Sequence, residues 1–110
     1  MIASSNMARI STDKNIAYIS RSFVDKHGLM VRNWMPADRI RPFGMKGTRP
    51  VSDLLSEAGV KTERNKRNFP LIVAADSPET VLWIPGIRAS EVCRTDSSET
   101  AFKLKRIINN

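Results

Sequence analysis

The residues of this chain whose types and spacing suit chemistry lie between Trp34 and Leu55, in the order W-M-P-A-D-R-I-R-P-F-G-M-K-G-T-R-P-V-S-D-L-L. Arg39, Arg41, Lys46 and Arg49 surround two glycines, Gly44 and Gly47, and the segment runs into a helix-forming stretch at Pro50, Val51, Ser52 and Asp53. Glycine tolerates positive φ, so a turn at Gly44 and Gly47 can present backbone amides on one concave side, beside a helix N-terminus. Amides and cations together suit an anion, and phosphate is the foremost one. The same Gly-x-x-Gly spacing also shapes ordinary turns, and four cations also make a solvated face, so both readings stand at this point. Arg39 likewise has two readings, an anion contact or an internal ion pair with Asp38 or Asp53.

The elements that must position these residues follow from periodicity. Asn15 to Ser20 alternates Ile16, Tyr18 and Ser20 against Ala17 and Ile19, a short strand, and Ser22 to Lys26 makes one helical turn or a loop before His27-Gly28. Leu29 to Trp34 reads as a second strand. Pro42 biases Arg41 towards extended backbone. Pro50 to Ala58 is the clearest helix, with Val51, Leu54, Leu55 and Ala58 as its apolar stripe and Gly59 at its end. Thr62 caps a second short helix, T-E-R-N-K-R-N, whose Arg64, Lys66 and Arg67 make it polar almost all round and unsuited to a core. Phe69 to Ala75 and Thr80 to Pro85 form a hairpin with a loop of about four residues, and Arg88 follows Gly86. Thr100 to Ile108 reads as a half-buried edge strand whose lysines discourage edge-to-edge pairing. The expected fold class is α+β, a small mixed sheet or β-sandwich-like core with two short helices in the middle of the chain. Residues 1–13 read as a lead-in or linker, and residues 14–110 as a single domain.

Composition narrows the function. At 110 residues, 41% hydrophobic and 26% charged, the chain has the makings of one ordinary globular domain, too small for a catalytic domain plus a second folded unit. Neither a run of about 20 apolar residues nor a basic-then-apolar leader is present, which places the expected setting in the cytoplasm, with no membrane partner. The net charge of +7 is uneven: residues 1–30 hold four basic and two acidic side chains, residues 31–70 nine and four, and residues 71–110 five and five. A basic middle third points first to nucleic acid and second to an acidic protein surface. With one Cys and one His, a zinc site of ordinary type cannot be assembled, and Cys93 reads as a bystander thiol. No phosphate-binding P-loop, dinucleotide fingerprint, H-E-x-x-H or Ser-His-Asp set occurs. No catalytic residue and no metal ligand is expected.

The three separated blocks P-A-D-R-I-R-P-F-G-M-K-G-T-R-P-V-S-D-L-L, R-N-K-R-N-F-P-L-I-V and V-L-W-I-P-G-I-R occur in the order in which the C-terminal domain of bacterial tRNA(Ile)-lysidine synthases carries them. The chain resembles that family from about Leu29 to Arg88, with Thr100 to Ile108 fitting its closing strand. Asp38, Arg39, Pro42, Gly44-Met45-Lys46-Gly47, Ser52, Asp53, Leu55, Pro70-Leu71, Trp83, Gly86 and Arg88 fall on the pattern, and Ala37 stands where the family usually has glycine. The S-G-G-x-D-S loop of the catalytic half is absent.

The resemblance implies an accessory, non-catalytic domain of an ATP-dependent ligase, needing no cofactor of its own. The full enzyme would use ATP with Mg and L-lysine to convert the first anticodon cytidine of tRNA(Ile) with a CAU anticodon to lysidine. It also implies that this domain grips the tRNA body, a role the basic middle third fits, and the expected RNA contacts are Arg39, Arg41, Lys46, Arg49, Arg64, Lys66, Arg67 and Arg88, with the Gly44 and Gly47 backbone at phosphate or shaping the turn. The alternative expectation is a docking or dimerisation module without RNA contact, packing on other domains of the same enzyme or forming a homodimer through Trp34, Phe43 and Met45.

Overall fold

The computed structural model describes residues 2–5, 14–93 and 101–106. Its central layer is a four-stranded sheet of β3 (Leu29–Asn33), β6 (Pro70–Ala74), β7 (Ser77–Ile84) and β8 (Arg88–Ala89), side by side in that order. Leu71 and Val73 of β6 pack with Leu54 and Leu55 of helix α2 (Val51–Glu57) on one side. Leu82 and Trp83 of β7 pack with Ala17, Ile19 and Leu104 on the other. A sheet covered on both faces reads in sequence as continuous apolar runs, which is why L-I-V-A and V-L-W-I show no polar alternation.

The second cover is a three-stranded sheet of β1 (Ile2–Ser5), β9 (Ala101–Lys105) and β2 (Ile16–Ser20), with β9 in the middle. Two short pieces complete the strands, β4 (Arg39–Ile40) paired with β5 (Arg49–Pro50). The α+β class therefore holds. Every ladder among the described residues is antiparallel, so the sheets are not mixed. A third helix joins the two expected ones: α1 (Arg21–His27) is capped by Ser20 Oγ, which accepts from Phe23 N at 3.0 Å. The third helix in chain order, α3 (Glu63–Arg67), begins as expected, with Thr62 Oγ1 accepting from Asn65 N at 3.1 Å.

Three further expectations change. Ile2–Ser5 falls in the expected lead-in yet pairs with β9 along its length. The β6–β7 loop shrinks to Ala75-Asp76, because Ser77 already pairs with Ala74 and irregularities at Ile72/Val73 and Val73/Ala74 absorb the offset. Most consequential, β9 is not an edge strand, so edge protection no longer accounts for Lys103 and Lys105. Thr100, Ile107 and Ile108 of the expected closing strand lie outside the described residues.

Candidate nucleic-acid interface

The cations of the central stretch stand on a hairpin anchored by two buried side chains, Ile40 and Pro42. Along β4 and the residue after it the pattern is exposed, buried, exposed: Arg39, Ile40, Arg41. Ile40 is sunk in the core, so the strand period of two sends Arg39 and Arg41 together to the outer side. Pro42 is buried and bridges Ser90, Phe43 N donates to Ala89 O at 3.0 Å, and Glu91 N donates to Arg41 O at 2.8 Å. These two backbone hydrogen bonds, which together make the Pro42–Ser90 bridge, fasten residues 41–43 to the chain around β8, and only the tip beyond projects.

At that tip, Met45 N donates to Pro42 O at 2.9 Å across Phe43 and Gly44, and Gly44 has φ +82°. A positive φ at the third of four turn residues is the type II arrangement, which favours glycine. Gly47 has no such φ, so its role as a left-handed turn residue does not hold. The amide expected to meet a phosphate also has an occupant: Gly44 N donates to Glu91 Oε2 at 2.7 Å. A carboxylate of the chain sits where an external anion was anticipated.

The Arg side chains fold over this loop. Arg41 Nε donates to Met45 O at 2.9 Å, and Arg39 Nε donates to Thr48 Oγ1 at 3.0 Å with Nη2 reaching Thr48 O at 3.2 Å. Neither is paired to Asp38 or Asp53, so the ion-pair reading of Arg39 gives way to a hydrogen-bonded, exposed guanidinium. Arg39, Arg41 and Lys46 are all exposed, and none has a salt-bridge partner among the described residues.

The other expected contacts divide. Arg49 forms an ion pair with Glu57, whose hydrogen bond raises the Arg49 pKa while the same contact holds the Glu57 carboxyl below its usual range. Arg88 is half-buried and adds a smaller push on Glu57 in the same direction. Arg67 pairs with Glu63 one turn earlier at 2.9 Å, both exposed. Arg64 is exposed without a side-chain partner among the described residues. Lys66 is a correction: it is buried to 9% exposure, and its Nζ donates to Ser52 Oγ at 2.8 Å. It ties α3 to α2 and is not available to a phosphate. Among the apolar residues proposed as docking anchors, Trp34 is core at 6% exposure, Phe43 is half-buried, and Met45 is 40% exposed.

Arg32 and Asp38 hold the hairpin's entry and were not singled out from sequence as a pair. Arg32 Nη1 and Nη2 donate to the two Asp38 carboxylate oxygens at 2.9 and 2.7 Å, and Met35 N donates to Oδ2 at 2.8 Å. Arg32 Nε and Nη2 also reach Pro78 O, at 3.0 and 2.8 Å. The hydrogen bond to Asp38 raises the Arg32 pKa against the opposing effect of burial. Asp38 O in turn accepts from Val51 N at the start of α2. Asp38, through its carboxylate and its backbone carbonyl, and its partner Arg32 thereby join β3, β7, the turn before Arg39 and the helix after Arg49.

These features define a small antiparallel α+β domain that offers cations on a rigid hairpin. Among the described residues no three His, Cys, Asp or Glu side chains gather as a metal site. Residues 29–106 match the family described as the TilS substrate C-terminal domain, and the chain belongs to that family. It is similar to the tRNA(Ile)-lysidine synthase of Geobacter sulfurreducens, 35% identical over 78 residues that make up 71% of this chain and 16% of that protein. The tRNA(Ile)-lysidine synthase of Symbiobacterium thermophilum is 40% identical over 70 residues, 63% of this chain and 14% of the relative. The chain thus spans about one-sixth of these relatives' length. A structure described as the TilS C-terminal domain superposes with a TM-score of 0.74 at 18% identity, covering 99% of this chain and 85% of the other, so the fold is shared.

Proposed function

We propose that this chain is the tRNA-gripping domain of a tRNA(Ile)-lysidine synthase, acting on tRNA(Ile) with a CAU anticodon in the cytoplasm. The observation that carries the reading is the outward placement of Arg39, Arg41 and Lys46 on one pinned hairpin, without acidic partners among the described residues. Phosphate contacts of this kind position an RNA without reading its sequence. Arg64 adds a fourth cation with no acidic partner among the described residues; Arg49 and Arg67 contribute after exchanging their carboxylate partners for phosphate, and Arg88 contributes from the flank. Lys66 supports α3 from within. The amide of Gly44 serves the loop through Glu91, so the grip rests on side chains. ATP, Mg and L-lysine belong to the rest of the synthase in this reading, and the domain itself carries out no bond chemistry.

The test is equilibrium binding of the 110-residue chain to an unmodified tRNA with a CAU anticodon at low salt. The chain should bind, and Arg39→Ala with Arg41→Ala and Lys46→Ala should weaken binding at least tenfold with the fold intact. A folded chain that binds no tRNA at low salt would overturn the reading.

A further inference from the structure

The central position of β9 leaves a question about its lysines. Ala17 and Ile19 of β2 face the core together with Leu104, and Ala17 stands opposite Leu104 in the ladder. The period of two then places Ile16, Tyr18, Lys103 and Lys105 on the other face of the sheet. In the same register Tyr18 stands opposite Lys103 and Ile16 opposite Lys105. Lys105 is exposed, and Tyr18 and Lys103 are half-buried. The strands Ile2–Ser5, Ile16–Ser20 and Ala101–Lys105 contain no Asp or Glu, so this face has two ammonium groups and no carboxylate of its own strands to neutralise them.

Lysine is a weak strand former, and two of them in the middle strand of a sheet contribute nothing to pairing that an uncharged residue would not. Neither has a salt-bridge partner among the described residues, which leaves both charges open to a partner of opposite charge. Residues two apart on a strand have Cα atoms about 7 Å apart, with both side chains on the same face. That row of point charges suits consecutive anionic groups on a flexible polymer, where each ammonium takes one phosphate and needs no planar fork. The Tyr18 phenol beside Lys103 supplies one further donor. An acidic protein segment would bring carboxylates to the same lysines, but the chain's +7 charge and the cationic hairpin favour a polyanion extensive enough to reach both.

We infer that the outer face of the β1–β9–β2 sheet is a second contact surface for RNA backbone phosphates, made by Lys103 and Lys105 with Tyr18. The inference rests on the tRNA reading above and extends it from the hairpin to another part of the domain.

The experiment measures the salt dependence of tRNA binding for four forms of the whole chain: unchanged, hairpin variant (Arg39→Ala, Arg41→Ala, Lys46→Ala), sheet variant (Lys103→Gln, Lys105→Gln), and both sets combined. Each lost phosphate contact reduces the log–log slope by about 0.7 to 0.9, so the sheet variant should flatten it by about 1.5 and the combined variant by the sum of the two effects. Tyr18→Phe should weaken binding a few-fold with the slope unchanged. Lys103→Arg with Lys105→Arg, which keeps both charges, should restore the slope. If the hairpin variant flattens the slope and the sheet variant leaves it unchanged, the sheet inference is wrong while the hairpin reading survives, and the face is left to a protein partner. If the unchanged chain binds no tRNA, both fall.

Discussion

Replacing Asp38 tests whether one buried carboxylate holds the hairpin in place. Its side chain is 5% exposed and that of Arg32 14%, so the pair is little screened by solvent. Asp38→Ala would strip Arg32 of its only acidic partner among the salt bridges of the described residues and leave the Met35 amide without its acceptor. Breaking a buried pair from one side costs about 3–5 kcal/mol, mostly for the charge left behind. A domain of this size has on the order of 5–15 kcal/mol in total, so the variant should be marginal but measurable. Asp38→Asn keeps an oxygen acceptor and should cost about 1.5–3 kcal/mol. Urea unfolding at neutral pH, followed by Trp fluorescence, gives both values. Adding Arg32→Met should recover part of the Asp38→Ala loss, because the uncompensated charge is gone, and the resulting cycle isolates the coupling. A loss below about 1 kcal/mol for Asp38→Ala, or a cycle with no coupling, would refute the assignment.

Further outcomes follow from the same geometry. Lys66→Ala should lower stability by about 1–2 kcal/mol through the lost bond to Ser52 and lost packing, yet leave the salt slope of tRNA binding unchanged. Gly44→Ala should cost about 1 kcal/mol or more because of its φ of +82°, although an added Cβ would meet nothing within 4 Å, whereas Gly47→Ala should stay within about 0.5 kcal/mol. Burial pushes the Cys93 thiol up to about 12 from an ordinary value of 9.0. Above the unfolded pKa the unfolded chain loses that proton and the folded chain keeps it, so stability should fall as pH rises from about 9 towards 12, by about 1.4 kcal/mol per unit. Comparison with Cys93→Ala across that window isolates the effect, since the variant lacks it while sharing every other titration.

The longer strands β2, β3, β6, β7 and β9, the two middle helices and the Thr62 cap were legible because periodicity and capping are local, whereas Ile2–Ser5 and the two-residue strands carry too few residues for a period to show. The place of β9 was not, since alternation reports that a strand has two faces and not which strands lie beside it. Lys66 escapes sequence reading for a related reason: a helix of five residues with three cations looks polar on every side, but Ser52, fourteen positions earlier, offers one of them a half-buried hydroxyl. The sequence named Gly44 and Lys46 but could not show that Glu91, 47 residues on, would reach the Gly44 amide. The role of Arg32 is not legible in sequence, because nothing near it announces a carboxylate six residues away across a turn, or the Pro78 carbonyl on another strand. Function was legible to the extent that three blocks in fixed order carry the family, while which cations are free depends on tertiary pairing.

The most direct test of the account is the slope of log affinity against log salt for the unchanged chain with unmodified CAU tRNA. With at least Arg39, Arg41, Lys46 and Arg64 on phosphates, the slope should be on the order of −3 or steeper, and removing the three hairpin cations should flatten it by about 2 or more. Binding that is indifferent to salt, or a slope that the hairpin substitutions leave untouched, would contradict the central claim.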